Sequence, residues 1–276
     1  MKSSTLFAAS MRFKPQQTGS MLVQSPRIDM LPDGTAGPRR FKIKSADTQG
    51  RRGMVDSLLK NRYGWRGYKE VRLPTDQSVT RFTLVAIEDE GTIGTITVAF
   101  DSEQGLSVDD AFGPEVKALR SQGRKICEFT KLAVDPTVGT KRVLATLFHV
   151  AYIVAHRIRG YDCLLIEVNP RHVRYYERML GFRVIAEERL NRSVNAPAVL
   201  LMVDFSYVMQ QIGELAGQPE RLATERSLYP AFMSLREEAG VTAKMLQKQA
   251  LADQLAEGDG GRPSQAPEFQ PSDIMT

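Results

Sequence analysis

The chain has 276 residues, 42% of them hydrophobic and 25% charged, and a formal net charge of +5. That is an ordinary globular composition, with room for one core of roughly 150–200 residues plus extensions. Its longest apolar run, Val143 to Ala155, is interrupted by Thr146 and His149 and falls short of the ~20 residues a membrane-spanning helix needs.

At the N-terminus, Leu6-Phe7-Ala8-Ala9 is too small a patch for a secretory signal, so a cytoplasmic protein is expected. Residues 1–44 hold eight Lys/Arg against two Asp, a balance of +6, and the rest of the chain balances to −1. The basic excess therefore sits on an arm and not on a folded face. That argues against nucleic acid and leaves either a solubilising tail or a dock for an acidic partner or membrane surface.

Residues 1–40 carry scattered Pro and Gly without periodicity and read as a flexible basic leader. Phe41-Lys42-Ile43-Lys44 alternates as a first strand. Asp47 or Thr48 can cap a helix running towards Lys60, with Met54, Val55, Leu58 and Leu59 on one side. The cluster Asn61-Arg62-Tyr63-Gly64-Trp65-Arg66-Gly67-Tyr68 is either a packed loop with snorkelling Arg stems or a substrate-facing lip. Phe82–Ile87 and Thr92–Phe100 flank an acidic Gly-containing turn and form a hairpin. Residues 101–123 are a longer insertion than a hairpin requires, with a short helix at Glu115–Arg120, and suit a lid or a partner contact.

A strand, Lys125–Val134, then turns at Asp135-Pro136 into an apolar helix from about Thr140 to Arg159. A second strand, Cys163–Val168, leads through Asn169-Pro170 into a helix, Tyr175–Leu180, closed by Gly181-Phe182. This βαβα unit makes the two strands parallel. Strands at Arg183–Ile185 and Ala198–Val203 follow, with a polar loop at Asn191–Ala196 between them. Residues 206–257 read as a helical extension, broken near Gly217-Gln218-Pro219 and Tyr229-Pro230, that either packs on the core or meets a partner. Residues 258–276 are Gly/Pro/Ser-rich and read as a disordered tail.

Cys127 and Cys163 fall inside strands and read as small core hydrophobes, and nothing has metal-ligand spacing. Glu128 sits among Ile126, Cys127, Phe129, Leu132 and Val134, where a charge without a role is costly. It is either a general base or half of an ion pair with Lys131 or Arg124.

The segment Arg124–Phe182 resembles the N-acyltransferase superfamily known as the GNAT fold. Glu128-Phe129-Thr130-Lys131-Leu132-Ala133-Val134 is similar to the Glu-x-x-Arg strand of acyl-homoserine lactone synthases, with Lys131 in the Arg position. With Gly105-Leu106 to Phe112, Leu119-Arg120, Gly123-Arg124 and Asn169-Pro170-Arg171-His172 to Gly181-Phe182, it is more similar to the FeeM-type long-chain N-acyl amino acid synthases. The likeness spans roughly 41–205.

It implies an α+β, three-layer fold: a mixed, mostly antiparallel sheet, helices on both faces and one parallel pair that splays. It also implies transfer of an acyl group from an acyl carrier protein thioester to the α-amine of an amino acid, without metal or bound cofactor. The donor arm would be phosphopantetheine, or coenzyme A in the alternative. A coenzyme A-dependent acetyltransferase and a non-catalytic acyl- or carrier-binding module are the other readings. On the resemblance, Glu128 is the base and Tyr176, with Tyr175 as its substitute, the acid for the leaving thiolate. Lys131, Leu132, Ala133, Val134 and Asn169 would meet the pantetheine. Gly139, Thr140, Lys141 and Arg142 form a thinned phosphate cradle with one glycine, which favours carrier protein over a nucleotide-bearing donor. Arg62 and Trp65 are the candidates for the acceptor's carboxylate and side chain. An acyl product would give the protein peripheral contact with membranes.

Overall fold

The computed structural model describes residues 41–46, 48–64, 73, 80–89, 91–135 and 141–258. Its strands are β1 (Lys42–Ser45), β2 (Arg81–Glu88), β3 (Gly91–Phe100), β4 (Ile126–Val134), β5 (Cys163–Val168), β6 (Arg183–Asn191) and β7 (Ala196–Asp204). They form one seven-stranded sheet in the order β1-β2-β3-β4-β5-β7-β6. Only β4 and β5 pair parallel. The crossover between them is α3 (Lys141–Tyr152), continued by a π-helical segment, Ile153–Ile158. The helix expected to run unbroken to Arg159 therefore widens in its last turns.

Alternation along each strand feeds two cores. Cys127, Phe129, Leu164, Ile166, Leu201 and Val203 join the cluster under α3. Their neighbours Ile126, Cys163, Leu165, Leu200 and Met202 pack instead on Phe112 and Val116 of α2 (Asp109–Ser121). On that same side α1 (Gln49–Gly64) lays Val55 and Leu59 over Val85 and Ala133. Cys127 and Cys163 are thus buried, free and on opposite faces, which bars a bond between them.

The α1 helix begins at Thr48, whose Oγ1 accepts from Arg51 N at 3.4 Å. The β2–β3 hairpin turns through Asp89, whose φ of 44° is the left-handed backbone that Asp tolerates. The short helix expected at Glu115–Arg120 starts at Asp109, because a first turn precedes a kink at Phe112. β6 runs to Asn191, six residues past its expected end. It is an edge strand, and its exposed Glu187 and Glu188 hide the hydrophobic alternation that marks an inner strand.

After Asn169-Pro170, α4 (Val173–Leu180) ends on Gly181 at φ 75°. A Cβ there would lie 2.1 Å from the Tyr207 ring, so both the backbone and the packing require glycine. α5 (Phe205–Leu215) and α6 (Leu235–Gly258) follow, joined by two 3₁₀ turns. Phe205, Val208, Ile212, Tyr229, Phe232 and Met245 belong to the α3 cluster, so this extension completes the core.

A polar latch fixes α6 to α3. The fully buried His149 accepts from Met233 N at Nδ1 (3.1 Å), which leaves Nε2–H to donate to Glu238 Oε2 (3.1 Å). Arg157 Nε donates to the other Glu238 oxygen at 2.6 Å. Burial pushes the His149 pKa down, against the pull of Glu238, so the ring is the neutral Nε2–H tautomer.

Candidate active site

The parallel pair is in register only over Ile126–Cys163, Cys127–Leu164 and Glu128–Leu165. Beyond Glu128 the strands part, and β4 keeps only its β3 partner. The parting coincides with a bulge: Thr97 pairs with Thr130 and Thr95 with Ala133, so Lys131 and Leu132 oppose a single residue of β3. Lys131 adopts φ 51°, a left-handed conformation costing about 1–2 kcal/mol in a non-glycine residue. Such strain persists only where surrounding structure imposes it. Tyr63 of α1 supplies one constraint, its hydroxyl donating to Leu132 O at 2.6 Å.

A cavity of about 650 Å³ opens at this parting, within the range of small-molecule sites. From β4 it is lined by Glu128 to Leu132, and from β5 by Glu167 and Val168. Asn169, Arg171, His172, Tyr175 and Tyr176 close one side, while the β6–β7 turn contributes Asn191, Ser193 and Val194.

Glu128 is 2% exposed and lines this space. Its Oε2 accepts from Ser107 N at 2.8 Å. Burial raises its pKa to about 7, the Ser107 and Val108 N–H groups pull it down, and the Glu167 charge pushes it up. A carboxyl so placed exchanges protons near neutral pH.

The loop carrying Ser107 is itself braced. Arg120 spans two carboxylates, donating to Asp101 at 2.8 and 2.7 Å and to Asp109 at 2.6 and 2.7 Å. Asp109 Oδ2 in turn accepts from Leu106 N at 2.7 Å. Neither ion-pair partner expected for Glu128 is present: Arg124 pairs with Asp204, and Lys131 makes no salt bridge among the described residues. Burial and Arg81 lower the Lys131 pKa while Glu128 raises it.

Tyr176 packs edge-on against Phe148 and Phe182, and burial raises its pKa, so it is a neutral donor. Tyr175 lines the same cavity and is 40% exposed. Asn169 acts as a cap, its Oδ1 accepting from Arg171 N at 3.3 Å.

Of the predicted residues, Glu128, Lys131, Leu132, Asn169 and Tyr176 meet at the cavity. Ala133 is buried against α1, and Val134 packs on the α3 side. Arg62, Lys141 and Arg142 do not line the cavity; Arg62 lies one residue from Tyr63, which does. Trp65, Gly139 and Thr140 lie outside the described residues.

Sequence reasoning missed Glu167, although it interrupts the run Leu164-Leu165-Ile166-Glu167-Val168 as Glu128 interrupts its own strand. It also missed Asn191, which organises the turn. Asn191 Oδ1 accepts from Ser193 N (2.8 Å), Ser193 Oγ (2.6 Å) and Val194 N (3.2 Å), and its Nδ2 donates to Glu167.

A mixed sheet whose one parallel pair parts beside a cavity is the arrangement of GNAT-type acyltransferases. The sequence matches the profile of the family described as N-acyl amino acid synthase FeeM over residues 54–204, more than half of the chain. The chain belongs to that family. Among solved structures it is similar to FeeM, an N-acyl amino acid synthase from uncultured soil microbes, at 25% identity and a TM-score of 0.54, over 61% of this chain and 93% of that one. It is also similar to a putative N-acetyltransferase from Lactobacillus plantarum (16% identity, TM-score 0.44, 59% of this chain and 97% of that one). The acyl-homoserine lactone synthase LasI follows (11% identity, TM-score 0.44, 60% of this chain and 90% of that one). Neither of these two bears on this chain's chemistry. No curated protein sequence matches the chain. Among the described residues no helix is long and apolar enough to cross a membrane, and no group of residues could hold a metal ion.

Proposed function

We propose that this acyltransferase moves a long-chain acyl group from the phosphopantetheine thioester of acyl carrier protein to the α-amine of an amino acid. The products are an N-acyl amino acid and free carrier thiol. The parting of β4 and β5 immediately after Glu128, beside a cavity of about 650 Å³, carries this reading. The pantetheine arm enters the parting, and N–H groups of β4 near Leu132 to Val134, free of β5, meet its amides or the thioester oxygen. A donor on that oxygen is worth about 3–4 kcal/mol of barrier.

Glu128 takes a proton from the acceptor ammonium, and the amine attacks the thioester carbon. As the C–S bond breaks, Tyr176 or Tyr175 protonates the thiolate and recovers its proton from the second N–H of the new amide nitrogen. Family membership supports the amino acid acceptor. The basic leader and the exposed Lys141, with Arg142 beside it, suit an acidic carrier protein. The reaction belongs in the cytoplasm, where the amphiphilic product passes to a membrane surface.

The test is incubation of the purified protein with acyl carrier protein and coenzyme A thioesters and a panel of amino acids, with products read by mass spectrometry. Acylated amino acid formed from the carrier donor is the expected result. Turnover of acetyl-coenzyme A on a protein lysine or polyamine would overturn it in favour of a short-chain acetyltransferase. Donor binding without any product would mark a binding module.

A further inference from the structure

Glu167 is a second carboxylate in the cavity, and the steps above do not use it. It shares a sheet face with Glu128, because Leu165 pairs with Glu128 and side chains two residues apart point the same way. Strand rise and spacing put their backbones about 8 Å apart. One Glu167 oxygen accepts from Asn191 Nδ2, and the other has no hydrogen-bond partner among the described residues. Neither carboxylate has an ion-pair partner among them. Of the nearby charges, Arg81 and Lys131 act on the Glu128 side, Asp110 of α2 adds negative charge at Glu167, and Arg171 and His172 line the same cavity.

We propose that Glu167 binds the acceptor's ammonium group and so selects cationic amines over water and alcohols as the nucleophile. This rests on the acyl transfer proposed above and deepens it. Two carboxylates sharing a half-closed cavity repel each other, and each is penalised by burial. A cation arriving between them relieves both costs, and an amino acid's α-amine is that cation at neutral pH. Glu167 holds the ammonium while Glu128 takes one proton. The N–C bond then forms as the C–S bond breaks, the second N–H proton ends on the departing thiol, and Glu128 returns its proton to solvent.

The competing role is structural, since through Asn191 the same side chain steadies the 192–195 turn. Glu167→Gln separates the two, keeping an acceptor for Asn191 and losing only the charge. Asn191→Ala does the reverse. Steady-state kinetics are measured with the donor and amino acid that serve the wild type.

Glu167→Gln is expected to raise the acceptor KM roughly 10- to 100-fold. The donor KM stays unchanged, and the pH midpoint of kcat/KM moves down because Glu128 loses a repelling neighbour. Asn191→Ala is expected to raise the acceptor KM less. A wild-type acceptor KM in Glu167→Gln, or a larger rise in Asn191→Ala, would overturn the assignment and leave Glu167 as a pin for the turn. If the wild type acylates no amine, the function itself fails and takes this inference with it, and that is seen before any variant is made.

Discussion

The hydroxyl of Tyr63 and the carbonyl of Leu132, 69 residues apart in sequence, are joined by a 2.6 Å hydrogen bond that ties α1 to the bulge of β4. The bond holds the strand where it leaves β5. Tyr63→Phe removes the donor and little volume. A stability loss of about 1 kcal/mol is expected from chemical denaturation, with a several-fold fall in kcat/KM as the bulge loosens. An unchanged kcat/KM would show that the parting needs no anchor on α1.

Glu128 sets the pH response. Its folded-state pKa of about 7 lies above the ordinary 4.5. The folded protein therefore holds this proton where the unfolded chain has lost it. The resulting stability is complete below pH 4.5 and is lost as pH rises to about 7, amounting to about 3 kcal/mol. Glu128→Gln should abolish that component, so its stability relative to the wild type should improve between pH 5 and 8. Activity runs the other way, since the carboxylate is the working form. The wild-type kcat/KM should rise through pH 7, and Glu128→Gln should lose about 10²–10⁴-fold. Full activity in the variant would remove Glu128 from proton transfer.

Arg120 acts on the same group from a distance. Its contacts with Asp101 and Asp109 brace the loop that aims Ser107 N at Glu128. Arg120→Ala should cost about 1–2 kcal/mol, discounted for its partial exposure. As the Ser107 bond weakens, the pH midpoint of kcat/KM should move upward. A stability loss with an unmoved midpoint would confine Arg120 to folding.

Glu238 closes the latch on His149 and Arg157. Glu238→Ala leaves the buried Nε2–H of His149 without an acceptor and should cost about 2–3 kcal/mol. Burial raises the Glu238 pKa, but the His149 and Arg157 bonds outweigh it and hold the carboxyl below 4.5. Its contribution is present above that value and lost as pH falls, so urea midpoints of wild type and variant should converge in acid. Parallel curves down to pH 4 would argue against the pairing.

Much of the fold was legible because the informative segments are strongly patterned. Cys163–Val168 is an apolar strand interrupted by one charge, and its boundaries match the structure. Glu128 could be singled out because a carboxylate among apolar neighbours must have a reason. The same logic applied to Glu167, yet its kinship with Glu128 depends on register, and strand pairing does not show in local sequence. The bulge at Lys131 escaped notice for a related reason, since no Gly or Asn marks it and tertiary contacts impose it. Tyr63 lay inside the aromatic cluster 61–68, but nothing in the spacing favoured it over Arg62 or Trp65.

The latch also bears on how the chain is made. The α3 face around His149 and Tyr152 is covered by Tyr229, Phe232 and Met245, all of which leave the ribosome after the sheet is complete. A nascent chain that has released β7 still displays a bare aromatic surface, and domains of this kind generally fold as whole units. Chaperone capture or premature association during synthesis should therefore concentrate in the interval between β7 and α6, when the catalytic half has been synthesised but its core is not yet closed.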